Sequence, residues 1–194
     1  MIVSRTICEK LSDEEIISRS LVDLEYFGCL YQRYELQLQF YVSKMSDFSA
    51  DEIKDIMQNA FIKFWKNING FDSSMKLSSY LYRVVHNEMI SHWRKNQSSE
   101  KIGQTWFSDM STQVNPCEGN ENSRSEIDLV LNQMPLKFKE ILVLKFLEDM
   151  NYKEISNILK IPEGTVATRI SKAKKVFLDI VKKQDIDLRK TDFC

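Results

Sequence analysis

A chain of 194 residues holds one medium domain or two small ones, and 43% hydrophobic with 28% charged residues is ordinary for a globular fold. The net charge of −1 gives no overall basic excess that would announce a nucleic-acid binder. No run of about 18 apolar residues is present to cross a bilayer, and MIVSRTICEKLSDEE lacks the apolar core of a signal peptide.

Five Gly and three Pro favour helices joined by few elaborate turns. Ser12 with Glu15 is a capping-box pair that should open the first helix. An aromatic-rich second helix is expected over about Leu24–Met45. Ser49 with Glu52 opens a third. There Ile53, Ile56, Met57, Ala60, Phe61, Phe64, Trp65 and Ile68 form one wide apolar stripe, and Asn69-Gly70 is expected to end it. Phe61, Phe64 and Trp65 read as core. After a short loop over Phe71–Lys76, a fourth helix over about Leu77–Asn96 should bury Leu81, Val84, Val85, Met89 and Trp93.

The periodicity then stops. Residues 97–123 read as a flexible linker rich in Ser, Gln and Asn, in which Trp106-Phe107 are the apolar exception. From Ser98 to Pro135 two basic residues oppose six acids. Helix resumes with Ser123 and Glu126 and breaks at Pro135. Leu136–Leu147 is strongly apolar, and Asn151 with Glu154 caps the next helix. Pro162 suits the first turn of the last helix, in which Val166, Ile170, Ala173, Phe177 and Ile180 make an inward stripe. The expected fold is all-α, two small helical domains over residues 10–96 and 124–184 joined by the linker.

The four cysteines Cys8, Cys29, Cys117 and Cys194 are scattered, with no CxxC and no Cys/His cluster, so reduced thiols in a cytoplasmic protein are expected. His86 and His92 share no face with a third ligand, which argues against a metal. No cofactor and no catalytic constellation is expected.

Residues 152–175, YKEISNILKIPEGTVATRISKAKK, lay out a short helix, a tight break and a second helix. That is a helix-turn-helix, whose second helix enters the DNA major groove. Lys160 to Lys183 carries seven basic residues against two acids. With the apolar stripe inward, Thr165, Ala167, Thr168, Arg169, Ser171 and Lys172 face outward, small polar groups with cations suited to base edges and phosphates. Lys174, Lys175, Lys182 and Lys183 lie further along and suit backbone phosphate. On the fourth helix Tyr80, Tyr82, Arg83, His86, His92, Trp93, Arg94 and Lys95 interleave aromatic and basic groups, a mixture suited to single-stranded DNA.

Four segments together resemble the extracytoplasmic-function sigma factors of the sigma-70 family. LYQRYELQLQFY (Leu30–Tyr41), DIMQNAFIKFW (Asp55–Trp65) and KLSSYLYRVVHNEMISHWRKN (Lys76–Asn96) are similar to region 2, and IPEGTVATRISKAKK is similar to the region 4 recognition helix. The resemblance implies a subunit that binds core RNA polymerase and directs it to promoters through the −10 and −35 elements. It also implies control by an anti-sigma factor, a cytoplasmic location, and no membrane insertion or catalysis of its own.

The resemblance places core-polymerase binding at Asp55, Gln58 and Asn59, with Asp51 and Glu52 supplying charge nearby; Asn59 stands where the family usually has Glu. Asn87 falls where the family holds a flipped −10 base. Ser73, Ser74 and Lys76 lie in the loop that shapes base choice, and Tyr80, Arg83, His86, Arg94 and Lys95 join the −10 set. Tyr80 and Leu77 stand where Trp and Phe are frequent. Tyr152, Ala167, Thr168, Ser171 and Lys172 match −35 contacts, and Ala167 replaces a common Lys or Arg. The rival reading is a dimeric helix-turn-helix regulator with a helical sensor domain.

Overall fold

The computed structural model describes residues 3–72, 75–99 and 126–184. The chain divides into two compact units, residues 1–43 with 48–99, and residues 44–47 with 100–194. Among the described residues every regular element is helical. Residues 97–99 of the expected linker are helical, continuing the fourth expected helix, while residues 100–123, with Trp106-Phe107 and Ser123, lie outside the described residues.

The first unit begins with a helix the sequence pattern does not announce, α1 (Arg5–Lys10), a single six-residue run with only Cys8 buried. α2 (Asp13–Ser20) starts at the expected capping box: the Ser12 hydroxyl accepts from Glu15 N–H, and the Glu15 carboxylate accepts from Ser12 N–H. A 3₁₀ turn, Leu24–Tyr26, precedes α3 (Phe27–Met45), so the expected second helix is present but begins after a tighter entry.

Cys8 and Cys29 are joined by a disulfide, which corrects the expectation of reduced thiols at these two positions. Scatter along the sequence concealed a contact that exists because α1 folds back onto α3. Arg33 of α3 braces the same corner. It donates to the carbonyl oxygens of Cys8 and Leu11, each at 2.6 Å, and pairs with the Asp13 carboxylate, which also accepts from the Tyr34 hydroxyl. The C-terminal carbonyls of α1, which have no intrahelical partner, are thereby satisfied by a charged donor.

α4 (Ala50–Lys66) carries the predicted stripe, with Ile56, Met57, Ala60, Phe61 and Phe64 buried. It stops at Lys66, where the Asn67 side chain donates to the Lys63 carbonyl at 2.9 Å; a 3₁₀ turn Ile68–Gly70 follows. The helix thus ends three residues before the predicted Asn-Gly break, because an Asn side chain already caps it.

α5 (Leu77–Ser99) packs on α4 and buries Leu77, Leu81, Tyr82, Val85 and Met89 at helical spacing. The core is aromatic. Phe27 stacks on Phe64 at 5.8 Å and meets Phe61 and Trp65 edge-on, while Tyr41 meets Tyr82 at 5.3 Å. Trp65 remains half-buried. Each fully buried ring contributes about 1.5–3 kcal/mol.

The second unit contains α6 (Glu126–Asn132), α7 (Leu136–Leu142), α8 (Tyr152–Leu159) and α9 (Glu163–Lys183). Pro135 precedes α7, as expected. The expected run to Leu147 is one α-helix continued by a π turn, Val143–Leu147. Its core is aliphatic: Ile141, Val143, Leu144, Ile155, Ile158, Val166, Ile170 and Ala173 are buried. α6, α7 and α8 all pack on α9. Phe177 and Ile180, expected in the stripe, are half-buried, and Val181 is the buried residue at that end.

Candidate nucleic-acid interface

α8 and α9 meet at the predicted tight turn. Asn151 and Glu154 form a capping box at the start of α8. Lys160 ends it in a left-handed conformation with φ 55°, a position glycine usually takes. The Ser156 hydroxyl donates to the Ile161 carbonyl at 2.6 Å and closes the turn. Pro162 sits one place earlier than expected, at the N-cap of α9, with its carbonyl accepting from the N–H groups of Thr165 and Val166.

Burial of Val166, Ile170 and Ala173 rotates the opposite side of α9 to solvent. Thr168, Ser171 and Lys172 are exposed, and Thr165 and Ala167 are half-buried at its margins. Tyr152 is exposed at the first position of α8. The Thr168 hydroxyl is within hydrogen-bond distance of the Gly164 and Thr165 carbonyls, at 3.2 and 3.0 Å. Its proton is therefore spent within the helix, which leaves its lone pairs and methyl group facing outward.

Arg169 departs from the predicted outward set. Its guanidinium lies 3.3 Å from the Glu140 carboxylate of α7, and its side chain is 25% exposed. Burial pushes the Glu140 carboxyl up to about 7, even with the Arg169 charge opposing that shift. Beside it Lys139 is also buried and donates to the Asn132 side chain at 2.7 Å. Sequence reasoning missed Glu140 because periodicity assigns a lone acid in an apolar helix to solvent. The signal that could have found it is Arg169, a cation flanking the inward stripe.

On α5, Lys76, Tyr80, Arg83, Asn87 and Arg94 fall 4, 3, 4 and 7 residues apart, so they share one face of the helix that Lys76 leads into. Lys76, Asn87, Arg94 and Lys95 are exposed; Tyr80 and Arg83 are half-buried. The Arg83 guanidinium lies 4.8 Å from the Tyr80 ring centroid, and the ring's other neighbours are Phe64 and Phe71. A cation over an aromatic face is held in place by the ring's quadrupole. Ser73 and Ser74 lie outside the described residues.

His86 is not part of that face. Its Nδ1 is 3.0 Å from the Tyr41 hydroxyl, and burial pushes the imidazole down to about 4, so it is neutral near pH 7. A neutral, packed imidazole cannot serve as a cation for phosphate. Tyr82 likewise lies in the core against Tyr41.

On α4, Asp51, Asp55, Gln58 and Asn59 are exposed, with Ile62 43% exposed one turn beyond Gln58. Asp51 pairs loosely with Lys54 at 3.5 Å, both in solvent, a contact of little energetic weight. Glu52 is committed to the fold. Its carboxylate accepts from Ser49 N–H at 2.8 Å and Asn96 at 3.0 Å, and pairs with His92 at 3.1 Å. The Ser49 backbone bond, then His92, hold its carboxyl down at about 2. Glu52 therefore caps α4 and ties it to α5 with one side chain. Among the described residues no group of three His, Cys, Asp or Glu side chains could hold a metal ion.

Two family descriptions match the chain in order: Sigma-70 region 2 over residues 30–99 and Sigma-70, region 4 over residues 124–176. The ECF RNA polymerase sigma factor SigW of Bacillus subtilis is 32% identical over 139 residues, 66% of this chain and 74% of that protein. The ECF RNA polymerase sigma-E factor of Haemophilus influenzae is 25% identical over 87% of this chain and 94% of its own length. Two solved structures share the fold. One is the sigma factor RpoE of Bartonella quintana in complex with the anti-sigma factor NepR (TM-score 0.59, 21% identity, 79% of this chain and 96% of that one). The other is CnrH in complex with the cytosolic domain of CnrY (TM-score 0.64, 16% identity, 87% and 96%).

A region 2 followed by a region 4, on helices carrying these exposed faces, defines a transcription initiation factor that works with RNA polymerase and DNA. The chain belongs to the extracytoplasmic-function sigma factors of the sigma-70 family. The rival reading, a dimeric regulator with a helical sensor domain, leaves the region 2 match without a role.

Proposed function

We propose that this sigma factor divides its work between the two units, residues 10–96 acting on polymerase and the −10 element, residues 124–184 on the −35 element, with residues 97–123 as linker. The exposed Asp51, Asp55, Gln58 and Asn59 meet core RNA polymerase, and Glu52 holds that face in shape. Unpaired −10 bases are taken by Asn87, whose amide can pair with a base edge, beside the Tyr80–Arg83 pair, while Lys76, Arg94 and Lys95 hold the backbone. Thr165, Thr168, Ser171 and Lys172, with Ala167 and Tyr152 at the margin, read the −35 duplex. The factor has no chemistry of its own; polymerase makes the RNA. It acts in the cytoplasm, where an anti-sigma factor holds it off by covering the same faces. That partner is suggested by the structural relatives, one of which was solved bound to an anti-sigma factor.

The observation that carries this reading is the pairing of exposed Asn87 with a stacked Tyr80–Arg83 on one face of α5. The test is transcription by purified chain and core polymerase on a promoter library. Asn87→Ala should abolish or slow strand opening, read by permanganate reactivity at −10, while protection at −35 persists. Thr168→Ala and Lys172→Ala should do the reverse, weakening −35 protection by about 1–3 kcal/mol for each base no longer read. Failure of the chain to bind core polymerase would end the reading.

A further inference from the structure

We infer that Arg169 is a positioning residue: its pairing with Glu140 fixes the rotation of α9 about its own axis, and Arg169 itself does not contact DNA. This rests on α9 being the duplex-reading helix and concerns how that helix is aimed.

Three observations carry it. First, place. At about 100° per residue, Arg169 lies about 40° round the helix from Thr165 and about 60° from Lys172, on the border between the buried stripe and the outward face. A contact on that border resists rolling, whereas a contact at the centre of either face does not. Second, partnership. Glu140 has an 11% exposed side chain and sits on α7, the helix against which α9 is packed. A carboxylate so placed cannot reach DNA, and the cation it meets is Arg169, at 3.3 Å. Third, the buried stripe that α9 presents is small and aliphatic. Val166, Ile170 and Ala173 on α9 and Ile141 and Leu142 on α7 are buried aliphatic residues. Further directional contacts of α9, Lys174 over the Phe146 ring at 4.9 Å and the Gln184 side-chain amide donating to the Gln133 side chain at 2.6 Å, lie toward its C-terminus. The apolar stripe sets which face of α9 is buried; a charge-assisted hydrogen bond has a preferred direction and fixes the rotation more finely. Removing Arg169 would also take a charged donor away from the buried Glu140 carboxyl, so the pair holds both helices to one arrangement.

The chemistry separates a positioning arginine from a phosphate-binding one. A cation that neutralises a phosphate releases a counterion, and its removal lowers the slope of log K against log salt by about 0.9. A cation that only aims the helix leaves that slope alone. It also leaves non-specific affinity alone, so its removal reduces only discrimination between the correct −35 sequence and a scrambled one.

The test uses holoenzyme made from core polymerase and the full chain, with DNA carrying either an intact or a scrambled −35 element, titrated across salt. Glu140→Gln and Arg169→Ala should each reduce discrimination by about five- to tenfold, keep the wild-type salt slope, and combine to no more than either alone. Arg169→Lys should recover part of the deficit, since a lysine restores the charge but not the planar fork. Lys172→Ala is the contrast and should lower the slope by about 0.9. A reduced slope in Arg169→Ala with wild-type behaviour in Glu140→Gln overturns the inference, as does wild-type discrimination in both. If Arg169→Ala fails to fold, the near-isosteric Glu140→Gln decides alone. Indifference of the wild-type holoenzyme to the −35 sequence would instead sink the reading of α9 as a duplex reader, a result distinct from any of these.

Discussion

The two units of this sigma factor solve different packing problems. The first fills its core with rings, Tyr41, Phe61, Phe64 and Tyr82, against which the half-buried Phe27 packs, and lets the edge of that cluster surface through Phe71 and Tyr80 beside Arg83. The second fills its core with Ile, Val, Leu, Ala and Met and surfaces small polar groups. Under the proposed division of work, the difference follows from the targets. Unpaired bases present flat faces, which bind rings and guanidinium planes, and a surface ring needs a rigid backing. A paired duplex presents only edges in a groove, which admits a helix with short side chains and excludes bulky ones.

Four experiments would break or sharpen the contrast, taken from the largest effect down. Phe64→Ala removes the ring that joins Phe27, Phe71 and Tyr80, and should cost the first unit about 3–5 kcal/mol. Hydrogen exchange should show the weakening in α4 and α5 and not in α8 and α9. Equal weakening in both units would mean that they do not fold separately. Opening the Cys8–Cys29 bond, which closes a loop across a separation of 21 residues, should cost the first unit about 3 kcal/mol. Urea unfolding with and without reductant, with Cys8→Ser/Cys29→Ser as control, measures it, and no change would show the bond to be dispensable. Glu52→Ala should cost about 1 kcal/mol through the missing cap, seen as a lower urea midpoint. Because the Glu52 carboxyl is held down at about 2, its contribution is present above its ordinary value of 4.5 and fades as pH falls toward 2.

The subtlest test is pH, where the units should move in opposite directions. His86 is held down at about 4, so the folded first unit favours neutral imidazole; its contribution is present above 6.5 and is lost as pH falls from there to 4. Glu140 is held up at about 7, so the folded second unit favours neutral carboxyl; that contribution is present below 4.5 and is lost as pH rises through 7. Acidification from pH 7 to 5 should therefore lower the protection factors of α5 and raise those of α9, after correction for the intrinsic pH dependence of exchange. Glu140→Gln should flatten the second trend alone.

Patterning along the chain was enough for the helices with a continuous apolar stripe. Ile56 to Phe64 and Val166 to Ala173 declare which side is buried, because a helix of fixed pitch turns sequence spacing into a face. The capping boxes at Ser12, Ser49 and Asn151 were equally plain, since a cap acts within four residues. So was the outward set Thr168, Ser171 and Lys172. α1 was not legible: six residues with one buried side chain hold no period, and the helix is secured by Cys29 and Arg33, which lie 21 and 25 residues beyond Cys8.

What sequence alone determined is thus the striped and capped helices, the middle of their inner faces, and the family. What only the tertiary structure decided is the fate of border residues. Arg169 and His86 each lie where a helix face turns from core to solvent and a rotamer settles the direction, whereas Glu52, aimed by its local cap on Ser49, gains its partners on the next helix only on packing. Arg169 turns to Glu140, His86 to Tyr41, and Glu52 to His92 and Asn96. Local periodicity cannot choose among them, because the deciding partner sits on another helix, 29, 45, 40 or 44 residues away, and is fixed only when the helices pack.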